Sequence, residues 1–315
     1  MNKKELVDSV LQGKKVDRPP LSLWYHFGVQ HADGEAFART VLAYFRHYDF
    51  DFLKVMNDYF YPVPEGLDAI RTKSDLQRIR LFKPEESRWR EQFRALEMIQ
   101  AALKDEAYFI DTVFDPWQSL HRNLAAENMQ HLMLNESQAL LDALEIVADN
   151  LIAYCKIALK LGAAGIFLSI PAGSEIINRQ QFLQFVKPFA QKVLSGIEGL
   201  GPMTTLHVHG RDLFFDDVLD MTAPIFNWWD RGPSGPSLAH VLGKISGCVM
   251  GGIDQTLVAR RTRAFLKEHV REGLQLGGRE RFFLANGCSI DTWVYPGSVE
   301  AIVQAARQNA QSHPR

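Results

Sequence analysis

The chain has 315 residues, 46% of them hydrophobic and 23% charged, which is ordinary globular material with ample apolar surface for a core. A formal net charge of −2 gives no electrostatic case for binding nucleic acid or an anionic membrane surface. No apolar run is long enough to span a membrane, the opening Met1-Asn2-Lys3-Lys4-Glu5 lacks the apolar stretch of a signal peptide, and cysteines at 155, 248 and 288 do not form a disulfide framework, so a cytoplasmic protein is expected.

A helix over Lys3–Leu11 stops at Gly13, and Asp17-Arg18-Pro19-Pro20 then delivers the chain into a first strand, Leu21–His26. Further strand-like runs are Phe52–Met56, Tyr108–Phe114, Gly165–Ile170, Thr204–Val208, Ile225–Trp229, Val249–Ile253 and Phe282–Ala285. Pro84–Glu106 reads as an extra helix between the second and third strands. Apolar residues recur at helical spacing over Gln138–Leu161, Gln181–Ile197, Val258–Leu274 and Ser298–Asn309. Eight strands alternating with helices, with no Ser/Gly-rich linker, predict an α/β fold. It is a (β/α)8 TIM barrel with an N-terminal helical extension, one domain over 1–315.

Barrels of this kind place their sites where strands end and βα loops begin. The polar residues expected at those ends are His26, Asn57, Asp58, Asp115, Glu175, His209, Asp230, Asp254 and Cys288. Within Leu206-His207-Val208-His209-Gly210, residues two apart face the same way on a strand. His207 and His209 would then point into the barrel, while Leu206 and Val208 pack outward. Either histidine alone is as well explained by a hydrogen-bonded core position. As a pair joined by Cys288 at the end of the last strand, they make a three-ligand N/S set that suits zinc and leaves a fourth position open. Cys155 and Cys248 read as small buried hydrophobes.

The other polar residues carry two readings each. Asn57 and Asp58 either hold a substrate group or cap a helix, and Asp254, after the Gly251-Gly252 pair, has the same ambiguity. Trp229 is either a pocket wall or core. Trp24, Tyr25, His26, Phe27, Tyr59 and Tyr61 would give the mouth an aromatic, uncharged lining. With Asp115 and Glu175, Trp24, His26, Tyr59 and Trp229 make up the expected substrate-binding set. No G-x-G-x-x-G, Walker loop, G-x-S-x-G or H-E-x-x-H occurs.

Several segments, in order and at suitable distances, resemble the uroporphyrinogen decarboxylase superfamily over essentially the full length. They are Leu11-Gln12-Gly13-Lys14-Lys15-Val16-Asp17-Arg18-Pro19-Pro20, Val113-Phe114-Asp115-Pro116-Trp117, Gly252-Ile253-Asp254, and Gly287-Cys288-Ser289-Ile290 followed by Pro296-Gly297-Ser298-Val299. The resemblance implies one of two chemistries. The decarboxylase itself is metal-free, typically dimeric, and uses an aspartate after strand two, matched by Asp58, with arginines near strand one. No arginine lies between Arg18 and Arg39 here, where the chain reads Trp24-Tyr25-His26-Phe27-Gly28. The corrinoid-dependent methyltransferases, such as methylcobamide:coenzyme M methyltransferase, bind zinc through a His-x-Cys after strand five and a Cys after strand eight. His207 and Cys288 match that set, and His209 replaces the first Cys.

The methyltransferase branch therefore fits better. It implies Zn²⁺ at His207, His209 and Cys288, with methyl transfer between a small thiol, methoxy or methylamine substrate and a corrinoid protein. Asp58, Asn57 and Asp254 would serve as catalytic groups, and Glu175, Asp230 or Asp254 as a fourth ligand or a hydrogen bond behind the metal. A carboxy-lyase centred on Asp58 and a non-catalytic metal- or corrinoid-binding barrel are the alternatives. The chain is expected to be a monomer or a homodimer.

Overall fold

The computed structural model describes residues 1–29 and 31–311. The described residues contain eight strands: β1 (Leu21–Ser22), β2 (Phe52–Val55), β3 (Tyr108–Phe114), β4 (Ile166–Pro171), β5 (Thr205–His209), β6 (Ile225–Trp228), β7 (Cys248–Ile253) and β8 (Phe282–Asn286). All paired strands run parallel in the order β1-β8-β7-β6-β5-β4-β3-β2. The last strand thus lies beside the first, and the sheet curls into the expected (β/α)8 barrel.

Side chains complete the closure where the ladder does not. β1 is two residues long rather than six, and it shares no ladder with β2. Instead the Asp51 N–H donates to the Leu21 carbonyl at 2.9 Å, and the Asp51 carboxylate accepts the Leu21 N–H at 2.8 Å. Arg18 holds the same carboxylate with both Nη atoms, at 2.5 and 2.7 Å. On the other side, the Asn286 amide accepts the Trp24 N–H and donates to the Trp24 carbonyl, both at 3.2 Å.

Alternation along the strands sorts residues into two cores. Inside the barrel pack Phe52, Ile110, Phe167, Ile225, Met250 and Phe283. Helix α1 (Lys3–Leu11) adds Leu6, Val7 and Val10 to that cluster. Its Val10 carbonyl accepts the thiol of Cys248, the first residue of β7, so α1 closes the N-terminal ends of the strands. A capping box between Asn2 and Glu5 starts this helix. Leu53, Val55, Leu206 and Val208 face outward into the layer beneath the helices. Each such fully buried side chain stabilises the fold by roughly 2 kcal/mol.

The helices follow the alternation with several departures, among them the expected helix over Val258–Leu274, which starts only at Arg263. Helix α2 (Gly34–Tyr48), capped by Asp33, fills the β1–β2 connection, where the sequence reading names no helix. Between β2 and β3 come α3 (Lys73–Leu76), a 3₁₀ turn at Pro84–Glu86 and α4 (Arg90–Leu103), so the helix expected there is joined by a shorter one. α5 (Pro116–Leu120), α6 (Met129–Asn135) and α7 (Ser137–Lys160) follow β3. The helix expected over Gln181–Ile197 is broken into α8 (Arg179–Gln181), a π turn at Phe182–Val186 and α9 (Lys187–Gly196). Pro188 explains the break, because it has no N–H to continue the α-helical ladder.

α10 (Leu238–Leu242) precedes β7. After β7, Asp254 caps a single turn, α11 (Gln255–Val258), and Thr262 caps a fresh start, α12 (Arg263–Gly277). α13 (Pro296–Gln311) ends the described chain. Among the described residues, no helix is long and apolar enough to cross a membrane.

Candidate metal centre

His207 lies on β5 and is 4% exposed, with its ring stacked on Phe167 at 5.1 Å. Its Nδ1 is 2.6 Å from Asn227 Oδ1 on β6. The Asn227 amide nitrogen donates to the Met250 and Asn286 carbonyls at 2.8 and 3.2 Å. Its oxygen must therefore face His207 and accept from Nδ1–H. That fixes the tautomer and leaves the His207 Nε2 lone pair free.

His209, two residues on, sits where β5 ends, and its Nδ1 is 3.6 Å from Cys288 Sγ. Cys288 follows β8 through Gly287, where a Cβ would lie 2.6 Å from the Trp228 carbonyl oxygen. Only a glycine lets the end of β8 run this close to β6. Asn286 also donates to the Cys288 carbonyl at 2.6 Å, so the amide that closes the barrel fixes the thiol's loop as well.

One ligand atom from each of His207, His209 and Cys288 falls within 4.8 Å of the others, and no other such cluster occurs among the described residues. Burial alone would raise the Cys288 thiol, but the two imidazoles beside it outweigh burial and hold it well below its ordinary value. Burial lowers the His207 imidazole. It also opposes protonation of His209, yet the neighbouring thiolate and Glu175 leave that ring raised.

The three residues line two cavities. The larger, about 390 Å³, includes Trp24, His26, Lys54, Gln118, His121, Arg122 and Phe167 in its wall. The smaller, about 240 Å³, adds Glu175, Arg211, Trp229, Gln255 and Thr256. Trp24, His26, Glu175 and Trp229 thus stand beside the cluster. Trp229 donates its indole N–H to Asp254 at 3.1 Å, and Glu175 accepts the Arg211 N–H at 2.6 Å.

The remaining residues singled out from sequence are engaged elsewhere. Asp58 lies behind His26, bonded to its Nδ1 at 2.5 Å, and does not itself line either cavity. Asn57 donates to Tyr154 and accepts from the Tyr59 N–H. It belongs to a buried network in which the Tyr154 hydroxyl and Gln92 donate to Asp111. Tyr59 donates to the Ala32 carbonyl. Asp115 caps α5 through the Trp117 and Gln118 N–H groups, and burial pushes its carboxyl up to about 8.

Asp254 caps α11 through Thr256. Both oxygens of Asp230 accept the Gly252 N–H, and a Cβ on Gly251 would meet the same carboxylate at 2.5 Å, so a glycine is needed for this close approach. Neither aspartate joins the three-residue cluster.

The wall is not the uncharged aromatic surface expected. Tyr25, Phe27, Tyr59 and Tyr61 do not line the larger cavity, whereas Lys54 and Arg122 do. Lys54 occupies an inward position of β2, between Phe52 and Met56, and is 4% exposed. Burial pushes its ammonium down to about 7. Strand alternation is the signal that could have found it: a lysine in an otherwise apolar inward register. His121 and Arg122 come from a π turn, His121–Ala125, that follows α5 and has no sequence signature.

Fold and cluster together define a (β/α)8 barrel with a candidate metal centre at the C-terminal mouth. Residues 62–309 match the family model of uroporphyrinogen decarboxylase (URO-D), and the chain belongs to that family. It is similar in structure to a methyltransferase from Methanosarcina mazei, with a TM-score of 0.82 at 17% identity, covering 98% of this chain and 99% of that one. A B12-independent methionine synthase from Shewanella sp. W3-18-1, in complex with selenomethionine, matches with a TM-score of 0.58 at 12% identity over 93% and 92% of the two chains. A putative vitamin-B12 independent methionine synthase from Listeria monocytogenes matches at 0.56 and 11%, over 88% and 86%. At these identities the likeness is one of fold. No curated protein matches the chain in sequence.

Proposed function

We propose that the chain is a zinc-dependent methyltransferase, acting between a small thiol, methoxy or methylamine substrate and a methyl carrier, a separate corrinoid protein. The observation that carries this reading is the cluster of two imidazoles and one thiol within 4.8 Å, shared by two cavities. Its donors fit zinc: two nitrogens and a sulfur, one imidazole already held in the required tautomer, and no fourth ligand in the cluster among the described residues. Magnesium or calcium would call for oxygen donors. Bound there, zinc lowers the pKa of a thiol or polarises a leaving heteroatom.

The chain's own residues supply the rest. Trp24 and Phe167 give the larger cavity apolar walls that exclude water from a small substrate. With Nδ1 of His26 held by Asp58, Nε2 is the nitrogen left to exchange a proton with a group in that cavity. The similarity to a methyltransferase over nearly the whole chain supports the reaction class.

Zinc analysis of purified protein tests the reading. About one equivalent is expected, lost in His207→Ala and in Cys288→Ala. A trace of zinc that is unchanged in both variants would sink it. The family name favours decarboxylation as a second reading, but Asp58 is turned to His26 and lines neither cavity. Turnover of uroporphyrinogen by metal-free protein, lost in Asp58→Ala, would reverse the order of the two.

A further inference from the structure

The wall of the larger cavity formed by β2 and the segment after β3 holds three donors without matching acceptors. The Lys54 ammonium lies over the faces of Trp24 and Phe167, at 5.3 and 4.3 Å from the ring centres. Among the described residues its hydrogen-bond partner is the Met56 sulfur, a weak acceptor, and it forms no ion pair. Gln118 is 7% exposed, and its Nε2 has no partner among the described residues. The Arg122 guanidinium stacks over Phe114 at 3.6 Å. All three residues line the cavity.

A buried ammonium without an anionic partner and a buried amide N–H without an acceptor are both costly. Ring faces offset part of that cost for the lysine, and nothing offsets it for the glutamine. Neither nearby carboxylate lines the cavity: Asp58 gives one oxygen to His26 while its other oxygen has no hydrogen-bond partner among the described residues, and Asp111 faces outward to Tyr154 and Gln92. The wall is therefore short of acceptors, and its flanking surfaces, Trp24, Trp117 and Phe167, are aromatic.

We propose that this wall is a carboxylate subsite, with Lys54 and Gln118 holding the anionic end of a small, partly apolar substrate whose other end faces His207, His209 and Cys288. The inference rests on the reading of this cavity as the substrate site and adds the class of substrate. Lys54 is then a specificity-determining residue. It selects an anion by charge, while Gln118 supplies a directed donor.

Calorimetric titration of zinc-loaded protein with mercaptoacetate and with mercaptoethanol tests it, since the two thiols differ in carrying a carboxylate or a hydroxyl. Mercaptoacetate is expected to bind about tenfold tighter or more, the size of one charge-assisted hydrogen bond. Lys54→Met should abolish that preference, with the larger loss falling on mercaptoacetate, and Gln118→Leu should reduce it. Equal affinities in the wild type, or a preference undiminished in Lys54→Met, overturn the proposal. Acetate binding to metal-free protein reads the subsite independently of zinc. It should be detectable in the wild type and lost in Lys54→Met, even if the protein takes up no metal. Acetate binding equally to both proteins, or to neither, also overturns it.

Discussion

Nδ1 of His207 and Oδ1 of Asn227 lie 2.6 Å apart, and because the Asn227 nitrogen is bonded to two carbonyls, the imidazole must be the donor. The consequence is measurable. Asn227→Leu keeps the branching of the side chain but removes its polar atoms, freeing the ring to rotate and to change tautomer. Zinc affinity should fall by about tenfold to a hundredfold, the usual effect of removing a hydrogen bond behind a ligand. Competition with a chromogenic chelator reads this directly. If thermal stability falls while zinc affinity stays the same, Asn227 is only a structural bridge between strands.

His209 stands where the methyltransferase branch that the sequence resembles carries a cysteine. Imidazole and thiolate both serve zinc, so His209→Cys should retain the metal, while His209→Ala should lose about tenfold or more in affinity. The Cys variant should hold zinc at least as tightly as the wild type, because it adds an anionic ligand. Equal loss of metal in His209→Cys and His209→Ala would show that His209 is no ligand.

Closure of the barrel depends on Asp51, which replaces a missing β1–β2 ladder. Asp51→Asn keeps the shape but removes one acceptor and the charge that Arg18 grips from a partly exposed position. A loss of about 2 kcal/mol is expected in chemical unfolding, with zinc content unchanged in the folded protein. A change within about half a kcal/mol would mean that the backbone contacts alone close the seam.

Much of the fold was legible in the sequence because the strands are apolar runs whose limits are set by sterics and burial. Seven of the strand-like runs lie within a residue or so of β2 to β8. β1 was overread: of the run Leu21–His26 only Leu21–Ser22 joins the ladder, and Trp24 beyond it is held by the Asn286 side chain instead. In the site, the i, i+2 spacing of His207 and His209 was informative because a strand converts it directly into shared direction.

Asn57, Tyr59 and Asp115 looked equally functional, yet the structure gives each a local backbone or side-chain partner away from the cluster, while Asp254 caps α11 and accepts the indole N–H of Trp229. Residue type alone cannot separate a cap from a ligand when both need the same oxygen. Lys54 was overlooked for the opposite reason: a lysine suggests solvent, and only the inward register of β2 places it in the barrel.

Asp230 gives the protein a pH dependence with a definite sign. Burial pushes its carboxyl from 3.8 up to about 7, against the Gly252 N–H and the charge of Arg231. Between those values the folded state keeps a proton that the unfolded chain releases. Stability from this group is therefore full below the unfolded value, falls as pH rises, and levels off above about 7. Asp230→Asn retains an acceptor for the Gly252 N–H and removes the titration. Urea unfolding of both proteins at pH about 5 and about 8 should show the variant gaining on the wild type by about 2 kcal/mol across that interval. Other titrating groups cancel in the comparison, because they are common to both chains. A gap that does not change with pH would mean that Asp230 is ionised throughout, and that the paired Gly252 contacts and Arg231 together outweigh its burial.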